Sequence, residues 1–263
     1  KKIDYQIIMK KLELTAVDFY PEIMNIYGDR GNIIYFKYRC SVYGIEIKII
    51  DVTIGRNYEK ECESADIFFM GGGQDAEQAL IYEDFFSGKK NILIESLNKN
   101  KIMLAICGGY QLLCNHYKSA DGKIMKGISI FKGYTESGTP RLTGNIAVKS
   151  GGTVLIGFEN HGGRTYLDGS QNCIGTVLKG HGNNGKDKTE GARTGNFFGT
   201  YMHGSFLPKN FVFCDYLIDL ALQNKYGFNL LEALEINGVK AGEIDNNFEL
   251  NARKDVRDLK GFI

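Results

Sequence analysis

The sequence has no apolar run approaching the roughly 18 residues that a bilayer-spanning helix requires. It also lacks a charge excess, because 32 lysines and arginines nearly balance 31 acidic residues, for a formal net charge of +1. No large electrostatic field therefore attracts nucleic acid or an anionic membrane surface. The first five residues include two lysines but no apolar segment of a secretory signal. We expect a cytoplasmic protein with no nucleic-acid partner and no membrane span.

Metal and disulfide patterns are missing as well. The six cysteines are scattered without a Cys-x-x-Cys pair, and the four histidines do not recur at metal-ligand spacing. We therefore expect reduced thiols and no metal bound by this chain. Tryptophan is absent and proline occurs only three times, but neither shortage bears on function.

The first half of the chain alternates short apolar segments with segments of helical periodicity. This alternation predicts an α/β fold with a mostly parallel sheet covered by helices on both faces. The predicted strands cover residues 11–17, 45–52, 66–70 and 102–106, and the predicted helices cover residues 33–43, 74–86 and 92–98.

The second half changes character. Between residues 122 and 199 glycine is frequent and the predicted strands are short, which favours an antiparallel, loop-rich region beside the main sheet. No linker divides the chain, so we predict one domain over residues 1–237 and a mobile or loosely docked polar tail over residues 238–263. The predicted strands of this half cover residues 127–131, 145–148, 153–157 and 174–178, and a helix is predicted over residues 211–226.

One segment, Leu104-Ala105-Ile106-Cys107-Gly108-Gly109-Tyr110-Gln111-Leu112, carries the strongest chemical signal. An apolar strand reaches Cys107, two glycines permit a tight turn, and a helical pattern begins at once, which is typical of a nucleophile elbow. The N-terminus of that helix would direct its N–H groups and positive dipole at the sulfur and favour the thiolate. The alternative is a buried structural cysteine beside a glycine turn.

A cysteine nucleophile needs a base and hydrogen-bond donors for the oxyanion. His203 follows a strand-like run, and strand ends are where α/β folds present catalytic side chains. The N–H of Gly108 is one expected oxyanion donor, and the turn Gly71-Gly72-Gly73 after an earlier strand offers another. The rival histidines are His161 and, less well placed, His116 and His181.

Three motifs together resemble the class I, or triad-type, glutamine amidotransferases: Met70-Gly71-Gly72-Gly73-Gln74-Asp75, Ala105-Ile106-Cys107-Gly108-Gly109-Tyr110-Gln111 and Tyr201-Met202-His203-Gly204. Within this class the chain is most similar to the cobyric-acid-synthase-like (CobB/CobQ-type) branch, which implies a flavodoxin-like sheet. Four further motifs resemble the glutaminase subunits of lipid II isoglutaminyl synthases: Tyr27-Gly28-Asp29-Arg30-Gly31-Asn32, Arg141-Leu142-Thr143-Gly144-Asn145, Gly157-Phe158-Glu159-Asn160-His161 and Gly182-Asn183-Asn184-Gly185.

The resemblance implies that Cys107 attacks the side-chain carboxamide of L-glutamine, which releases ammonia and leaves a γ-glutamyl thioester for water to hydrolyse. His203 would act as general base and acid, and the N–H groups of Gly72 and Gly108 would bind the oxyanion. Gln111 would help to hold the substrate. Arg141 matches the family arginine near the glutamine site, where a guanidinium suits the α-carboxylate.

The resemblance also implies a heterodimer. Ammonia would pass to a MurT-like subunit of the Mur-ligase family, which would use ATP and Mg²⁺ to activate the α-carboxylate of D-glutamate in the lipid II stem peptide. The product would be D-isoglutamine for peptidoglycan synthesis, and this chain would need no cofactor and would meet lipid II only through the partner. The alternatives are the same chemistry serving another acceptor, such as a cobyrinate-type substrate, and a catalytically silent scaffold for a ligase.

One position departs from the class pattern. Most triad amidotransferases carry a glutamate two residues after the histidine, whereas this chain has Ser205 there. The CobB/CobQ-type branch lacks that glutamate too, which supports the narrower resemblance. The carboxylate that orients His203 would then come from the partner subunit or from an internal residue such as Asp29.

A second glycine-rich segment, Gly180-His181-Gly182-Asn183-Asn184-Gly185-Lys186-Asp187, has phosphate-loop spacing through its lysine. Asp187 stands where a serine or threonine should bind magnesium, and no helical pattern follows. We therefore expect no ATP site here and a solvated charged loop over residues 186–193.

Overall fold

The computed structural model describes residues 11–55 and 58–258, so the first ten residues of the predicted domain and the last five of the predicted tail lie outside the described residues. The strands are β1 Glu13–Phe19, β2 Glu46–Val52, β3 Ile67–Met70, β4 Ile102–Ile106, β5 His116–Lys118, β6 Ile124–Lys126, β7 Gly133–Ser150, β8 Thr153–Leu167, β9 Gly175–Lys179, β10 Thr189–Glu190, β11 Ala192–Thr194, β12 Phe197–Thr200 and β13 Met202–His203. The helices are α1 Gly31–Val42, α2 Glu59–Ser64, α3 Asp75–Asp84, α4 Lys90–Asn98, α5 Gly108–Leu113, α6 Phe206–Lys209, α7 Phe211–Tyr226, α8 Leu230–Ile236 and α9 Asn247–Asp258.

Six strands form the main sheet, in the order β11-β12-β4-β3-β1-β2. Neighbours run parallel except β11, which is antiparallel to β12. The strand order reverses at β1, and because crossovers between parallel strands are right-handed as a rule, we expect α1 on one face and α2 to α4 on the other. Strands β3 and β4 are buried at every position, which explains their continuously apolar sequences. The predicted mostly parallel α/β fold is confirmed.

The middle of the chain forms a second, mainly antiparallel sheet around the long hairpin of β7 and β8. Strand β8 pairs along one edge of β7, while β5 and β9 share the other edge. Strand β13 follows β12 almost directly and pairs with β8. This pairing ties the second sheet to the end of the main sheet at the residue that the sequence analysis selected as the base.

The strands predicted in this region need one correction. Residues 127–131 do not form a strand, because their backbone instead caps α5. The N–H groups of Ile128 and Phe131 donate to the carbonyls of Leu112 and Leu113 at 3.0 and 2.9 Å, which satisfies carbonyls left without partners at the helix end. The predicted strands over residues 145–148 and 153–157 are parts of β7 and β8, and the one over residues 174–178 overlaps β9 with a shift of one residue.

The C-terminal segment contradicts the predicted mobile or loosely docked tail, because α9 packs against α6 and carries a fully buried acid, Glu249. The Tyr35 hydroxyl donates to Glu249 at 2.7 Å. The buried guanidinium of Arg39 lies 3.7 Å from Glu249 and donates to both carboxylate oxygens of Asp215, at 2.7 and 2.9 Å. Polar composition suggested exposure, but these polar groups have buried partners of opposite charge.

Replacing Arg39 with alanine is expected to lower the free energy of unfolding by about 3–5 kcal/mol, because the substitution leaves buried carboxylates without the cation that neutralises them. Urea unfolding of the whole chain measures the change. Arg30→Ala is the control, since Arg30 pairs with Asp51 on the surface and exposed pairs contribute about 1 kcal/mol or less. Equal losses for the two variants would show that the Arg39 cluster does not anchor the C-terminal helix.

Candidate active site

Cys107 occupies the turn between β4 and α5. Its backbone torsions, φ 47° and ψ −102°, lie in a region that a residue with a side chain enters only under strain. Its N–H donates to the Thr200 carbonyl at 2.8 Å, and its carbonyl accepts from Gln111 N at 2.9 Å. These two bonds tie the strained turn to β12 and to α5, and Cys107 as a residue is 8% exposed. The strand, turn and helix of the predicted elbow are all present.

Missing side chains at two glycines let the surrounding segments approach Cys107. A Cβ on Gly108 would lie 2.5 Å from the carbonyl oxygen of Gly73, so the elbow contacts the glycine turn after β3 backbone to backbone. A Cβ on Gly72 would lie 2.7 Å from Cε1 of His203. Both distances are too short for carbon, so glycine is required for this packing.

His203 is fully buried at the end of β13, where the Asp29 carboxylate meets its ring. Nδ1 of His203 lies 3.1 and 3.0 Å from Oδ1 and Oδ2 of Asp29. Because a carboxylate can only accept at these distances, Nδ1 carries a hydrogen. The other ring nitrogen, Nε2, has no hydrogen-bond partner within the described part of the chain, which leaves it able to exchange a proton with a neighbouring thiol.

Electrostatics at His203 favour the imidazolium. Burial lowers the pKa of His203, but the Cys107 sulfur and the Asp29 carboxylate outweigh it and raise that pKa to about 10. The ring is therefore charged near neutral pH, as a thiolate–imidazolium pair requires.

The N–H of Gly72 does not match its predicted part in an oxyanion hole, because it donates to Oδ2 of Asp29 at 2.9 Å. That bond orients the carboxylate that holds His203. The next residue, Gly73, lines the cavity beside Cys107. Its nitrogen would lie only 2.8 Å from a Cβ built on Gly108, so the backbone N–H groups of Gly73 and Gly108 lie on adjacent segments.

A buried acid, Glu190, accepts hydrogen bonds from the segment that precedes His203 and contacts Cys107. Its Oε1 accepts from Thr200 Oγ1 at 2.5 Å and from Tyr201 N at 2.9 Å. The carbonyl of the same Thr200 binds the Cys107 amide. Burial raises the pKa of Glu190 to about 7. The solvated loop predicted over residues 186–193 is wrong for this residue, which is fully buried.

A cavity of about 420 Å³ opens beside Cys107 and reaches Arg141. The Arg141 guanidinium is held by two hydrogen bonds to Asn160, from Nε to Oδ1 at 2.9 Å and from Nη2 to the carbonyl at 2.8 Å. Asn160 in turn donates to the Tyr27 hydroxyl at 2.7 Å. The Tyr27 ring packs edge-on against His203 with centroids 5.0 Å apart. This chain of contacts links the predicted carboxylate-binding residue to the base.

Gln111 also lines this cavity, but its carboxamide is already fixed by protein partners. Its Nε2 donates to the Tyr201 hydroxyl at 3.0 Å, and its Oε1 accepts from Gln78 at 2.9 Å. One N–H remains for a ligand. The predicted role of Gln111 in holding glutamine stays a prediction.

The rival histidines differ from His203 in their surroundings. His161 lines the cavity, but burial lowers its pKa, and its Nδ1 donates to the Gly163 carbonyl at 2.8 Å. His116 stacks on Tyr134. Ser205, at the position of the missing glutamate, donates to the Gly28 carbonyl at 3.1 Å. Among the described residues, Asp29 is thus the carboxylate that contacts the His203 ring.

The glycine-rich segment over residues 180–187 differs in structure from a phosphate loop. Strand β10 follows it instead of a helix, and two of its N–H groups, those of His181 and Gly182, already donate to the buried Glu159 at 2.7 and 2.9 Å. Within residues 11–55 and 58–258, no group of three or more His, Cys, Asp or Glu side chains could hold a metal ion. The same residues contain no helix long and apolar enough to cross a membrane.

A cysteine on an elbow after β4 and a histidine beyond the neighbouring parallel strand β12 is the arrangement expected of class I glutamine amidotransferases. The sequence model of the CobB/CobQ-like glutamine amidotransferase domain matches residues 16–211, more than half of the chain. The chain therefore belongs to the CobB/CobQ-like glutamine amidotransferase family.

Two relatives are similar over most of their length. The subunit GatD of lipid II isoglutaminyl synthase (glutamine-hydrolyzing) from Staphylococcus aureus (strain N315) is 41% identical, over 92% of this chain and 94% of that protein. The protein of the same name from Streptococcus pneumoniae (strain ATCC BAA-255 / R6) is 37% identical, over 82% and 83%. Among solved structures, PurLQS from Thermotoga maritima shares the fold, with a TM-score of 0.51 at 14% identity, over 92% of this chain and 99% of that one.

Proposed function

We propose that the chain is the glutaminase subunit of a two-subunit lipid II isoglutaminyl synthase. The observation that carries this proposal is the near-full-length similarity to the S. aureus subunit. It is supported by the electrostatic interaction of His203 with Cys107, which raises the pKa of His203. A catalytically silent scaffold has no need for the strained elbow or for the buried carboxylate bound to His203.

In the proposed reaction the Cys107 thiolate attacks the side-chain carbonyl carbon of L-glutamine. The negative charge that develops on the carbonyl oxygen is stabilised by the backbone N–H groups of Gly73 and Gly108; Gly73 here replaces the Gly72 of the sequence analysis. His203, held by Asp29, gives its proton to the departing amine, so that ammonia leaves and a γ-glutamyl thioester remains.

The second half of the reaction restores the enzyme. His203 takes a proton from water, which attacks the thioester, and glutamate leaves as the thiolate re-forms. Throughout, the Arg141 guanidinium binds the α-carboxylate of glutamine, for which its free edge in the cavity is suited. Gln111 lines the same cavity and is held in place by hydrogen bonds with Tyr201 and Gln78.

Ammonia then passes to a MurT-like partner subunit of the Mur-ligase family. That subunit binds ATP and Mg²⁺, activates the α-carboxylate of D-glutamate in the lipid II stem peptide and forms D-isoglutamine. The similarity to two lipid II isoglutaminyl synthase subunits favours this acceptor over a cobyrinate-type substrate. No step of the proposed glutaminase reaction requires a cofactor on this chain.

The test is to reconstitute the chain with the Mur-ligase-like subunit from the same organism and supply lipid II, ATP, Mg²⁺ and glutamine. Mass spectrometry of the stem peptide should find the α-carboxylate of D-glutamate converted to an amide, with one glutamate released per amide formed. An unchanged stem peptide alongside active glutamine hydrolysis would point to another acceptor. Absence of hydrolysis in the complex would overturn the glutaminase assignment itself.

A further inference from the structure

The cavity beside Cys107 contains an unused carboxylate, and this raises the question of what it binds. Free L-glutamine carries an ammonium group and a carboxylate on the same carbon at neutral pH. Arg141 suits the carboxylate, but none of the residues given a role so far suits the ammonium group. Two acidic residues line the cavity, Asp75 and Glu77, both in the first turn of α3.

Glu77 is occupied by its own helix. Its Oε2 accepts a hydrogen bond from the Gln74 N–H at 2.9 Å, which completes the capping box of α3. Asp75 takes no part in this capping box. Its Oδ1 accepts from the Tyr117 hydroxyl at 2.9 Å, and its Oδ2 has no hydrogen-bond partner among the described residues. The side chain of Asp75 is exposed to the cavity.

The Tyr117 hydroxyl fixes the orientation of this carboxylate. Tyr117 extends from β5 in the second sheet and is nearly buried. Burial and the Asp75 carboxylate both raise the pKa of Tyr117, so the hydroxyl stays protonated and donates. Tyr117, Asp75 and Cys107 line the same cavity, so the pair of Tyr117 and Asp75 lies on the wall that the nucleophile shares.

The position of Asp75 also decides which end of the substrate lies there. The N-terminus of α3 would attract an anion if it were bare. Asp75 and Glu77 already supply negative charge to that first turn, so a substrate carboxylate is disfavoured and a cation is favoured. The carboxylate of glutamine is then directed to Arg141 and its ammonium group to Asp75.

From this arrangement we propose that Asp75 binds the α-ammonium group of L-glutamine and, together with Arg141, selects free L-glutamine over carboxamides that lack this group. The inference rests on the proposed glutaminase function and adds a specificity-determining residue to it. Three fixed points, the thiol, the guanidinium and the Asp75 carboxylate, define the handedness of the bound α-carbon. Tyr117 acts as a positioning residue for Asp75.

The experiment compares L-glutamine with glutaramate, which is glutamine without the α-ammonium group, as substrates of the complex with its ligase subunit. For Asp75→Asn, we expect kcat/KM for L-glutamine to fall roughly 10- to 100-fold, mainly through KM, because a charge-assisted contact is lost. The value for glutaramate should stay within about threefold of wild type, because that substrate never made the contact. Tyr117→Phe should give a smaller loss of the same selectivity.

The matched control is Asp121→Asn, the same chemical change in the turn between β5 and β6, where Asp121 accepts a hydrogen bond from Ser119. This variant should leave kcat/KM unchanged for both L-glutamine and glutaramate. A second measurement avoids turnover: in Cys107→Ala protein, calorimetry should show that Asp75→Asn weakens binding of L-glutamine but not of glutaramate. Equal losses for both ligands, or none for L-glutamine, would overturn the role of Asp75. If the wild-type complex releases no ammonia from L-glutamine, the glutaminase function fails and this inference fails with it.

Discussion

Replacing Cys107 with serine is expected to reduce glutamine hydrolysis by at least roughly 10⁴-fold, the scale seen when an enzyme of this type loses its nucleophile. The reason is the partnership with His203. A cysteine thiol gives up its proton to a neighbouring histidine far more readily than a serine hydroxyl does, so the serine variant would lack the nucleophile that attacks glutamine. Release of glutamate from glutamine, followed for the chain in complex with its ligase subunit, measures the effect.

Two further measurements make the result specific to the glutaminase reaction. With ammonium chloride in place of glutamine, the Cys107→Ser complex should amidate its acceptor at the wild-type rate, because ammonia then bypasses this chain. Cys173→Ser is the matched control, since Cys173 is a free, partly exposed thiol in the loop before β9. Full glutamine-dependent activity of the Cys107→Ser complex would favour the silent scaffold over the enzyme.

The parts of this site that the sequence predicts are those that local chain geometry determines. Cys107 was identifiable because an apolar strand, a glycine pair and a helix follow one another without a gap, an order that favours a nucleophile elbow over a buried structural cysteine. His203 was identifiable because it ends a strand-like run. The mostly parallel α/β character of the first half and the antiparallel region of the second follow equally from periodicity and glycine content, whereas the order of the strands in the sheet was not predicted.

The parts that sequence reasoning missed depend on contacts between distant segments. The Gly72 amide was assigned to the oxyanion because its neighbours form a glycine turn, but its direction is set by Asp29, 43 residues earlier. Glu190 sits in a charged run that predicts a solvated loop, and its burial depends on donors from Thr200 and Tyr201. No local pattern signals either contact.

The same limitation applies to the residues around the substrate cavity. Asp75 and Tyr117 come from different sheets and meet only in the folded chain. Asn160 lies within a motif that the sequence analysis used for resemblance, yet its bonds to Arg141 and Tyr27 had no sequence signal. One available signal was chemical: a substrate with two charges needs two charged residues, and the sequence analysis named only one.

The orientation of His203 yields the second large expected effect. Replacing Asp29 with asparagine should lower kcat for glutamine hydrolysis by roughly 10³- to 10⁴-fold with little change in KM. The asparagine NH₂ group would donate to Nδ1, which forces the hydrogen onto Nε2. In that tautomer Nε2 of neutral His203 can no longer take a proton from the water that attacks the thioester, although asparagine keeps the shape of the aspartate side chain.

The pH profile separates this explanation from a loss of folding. Asp29 helps to hold the pKa of His203 near 10, so the imidazolium of the wild-type enzyme persists until the pH rises through that value. Without the carboxylate the pKa of His203 falls, and the alkaline limb of kcat/KM should move to lower pH. A merely destabilised enzyme would keep the wild-type limb and show only a lower melting temperature.

The contact between Asp29 and His203 favours an internal orienting carboxylate over one that the partner subunit supplies. With Asp29 already 3.0 Å from Nδ1, the isolated chain should hydrolyse glutamine, and Asp29→Asn should impair the isolated chain and the complex to the same degree. Asp51→Asn is the control, because Asp51 pairs with Arg30 on the surface and does not contact His203. If the complex tolerates Asp29→Asn while the isolated chain is inactive, the carboxylate that orients His203 belongs to the partner.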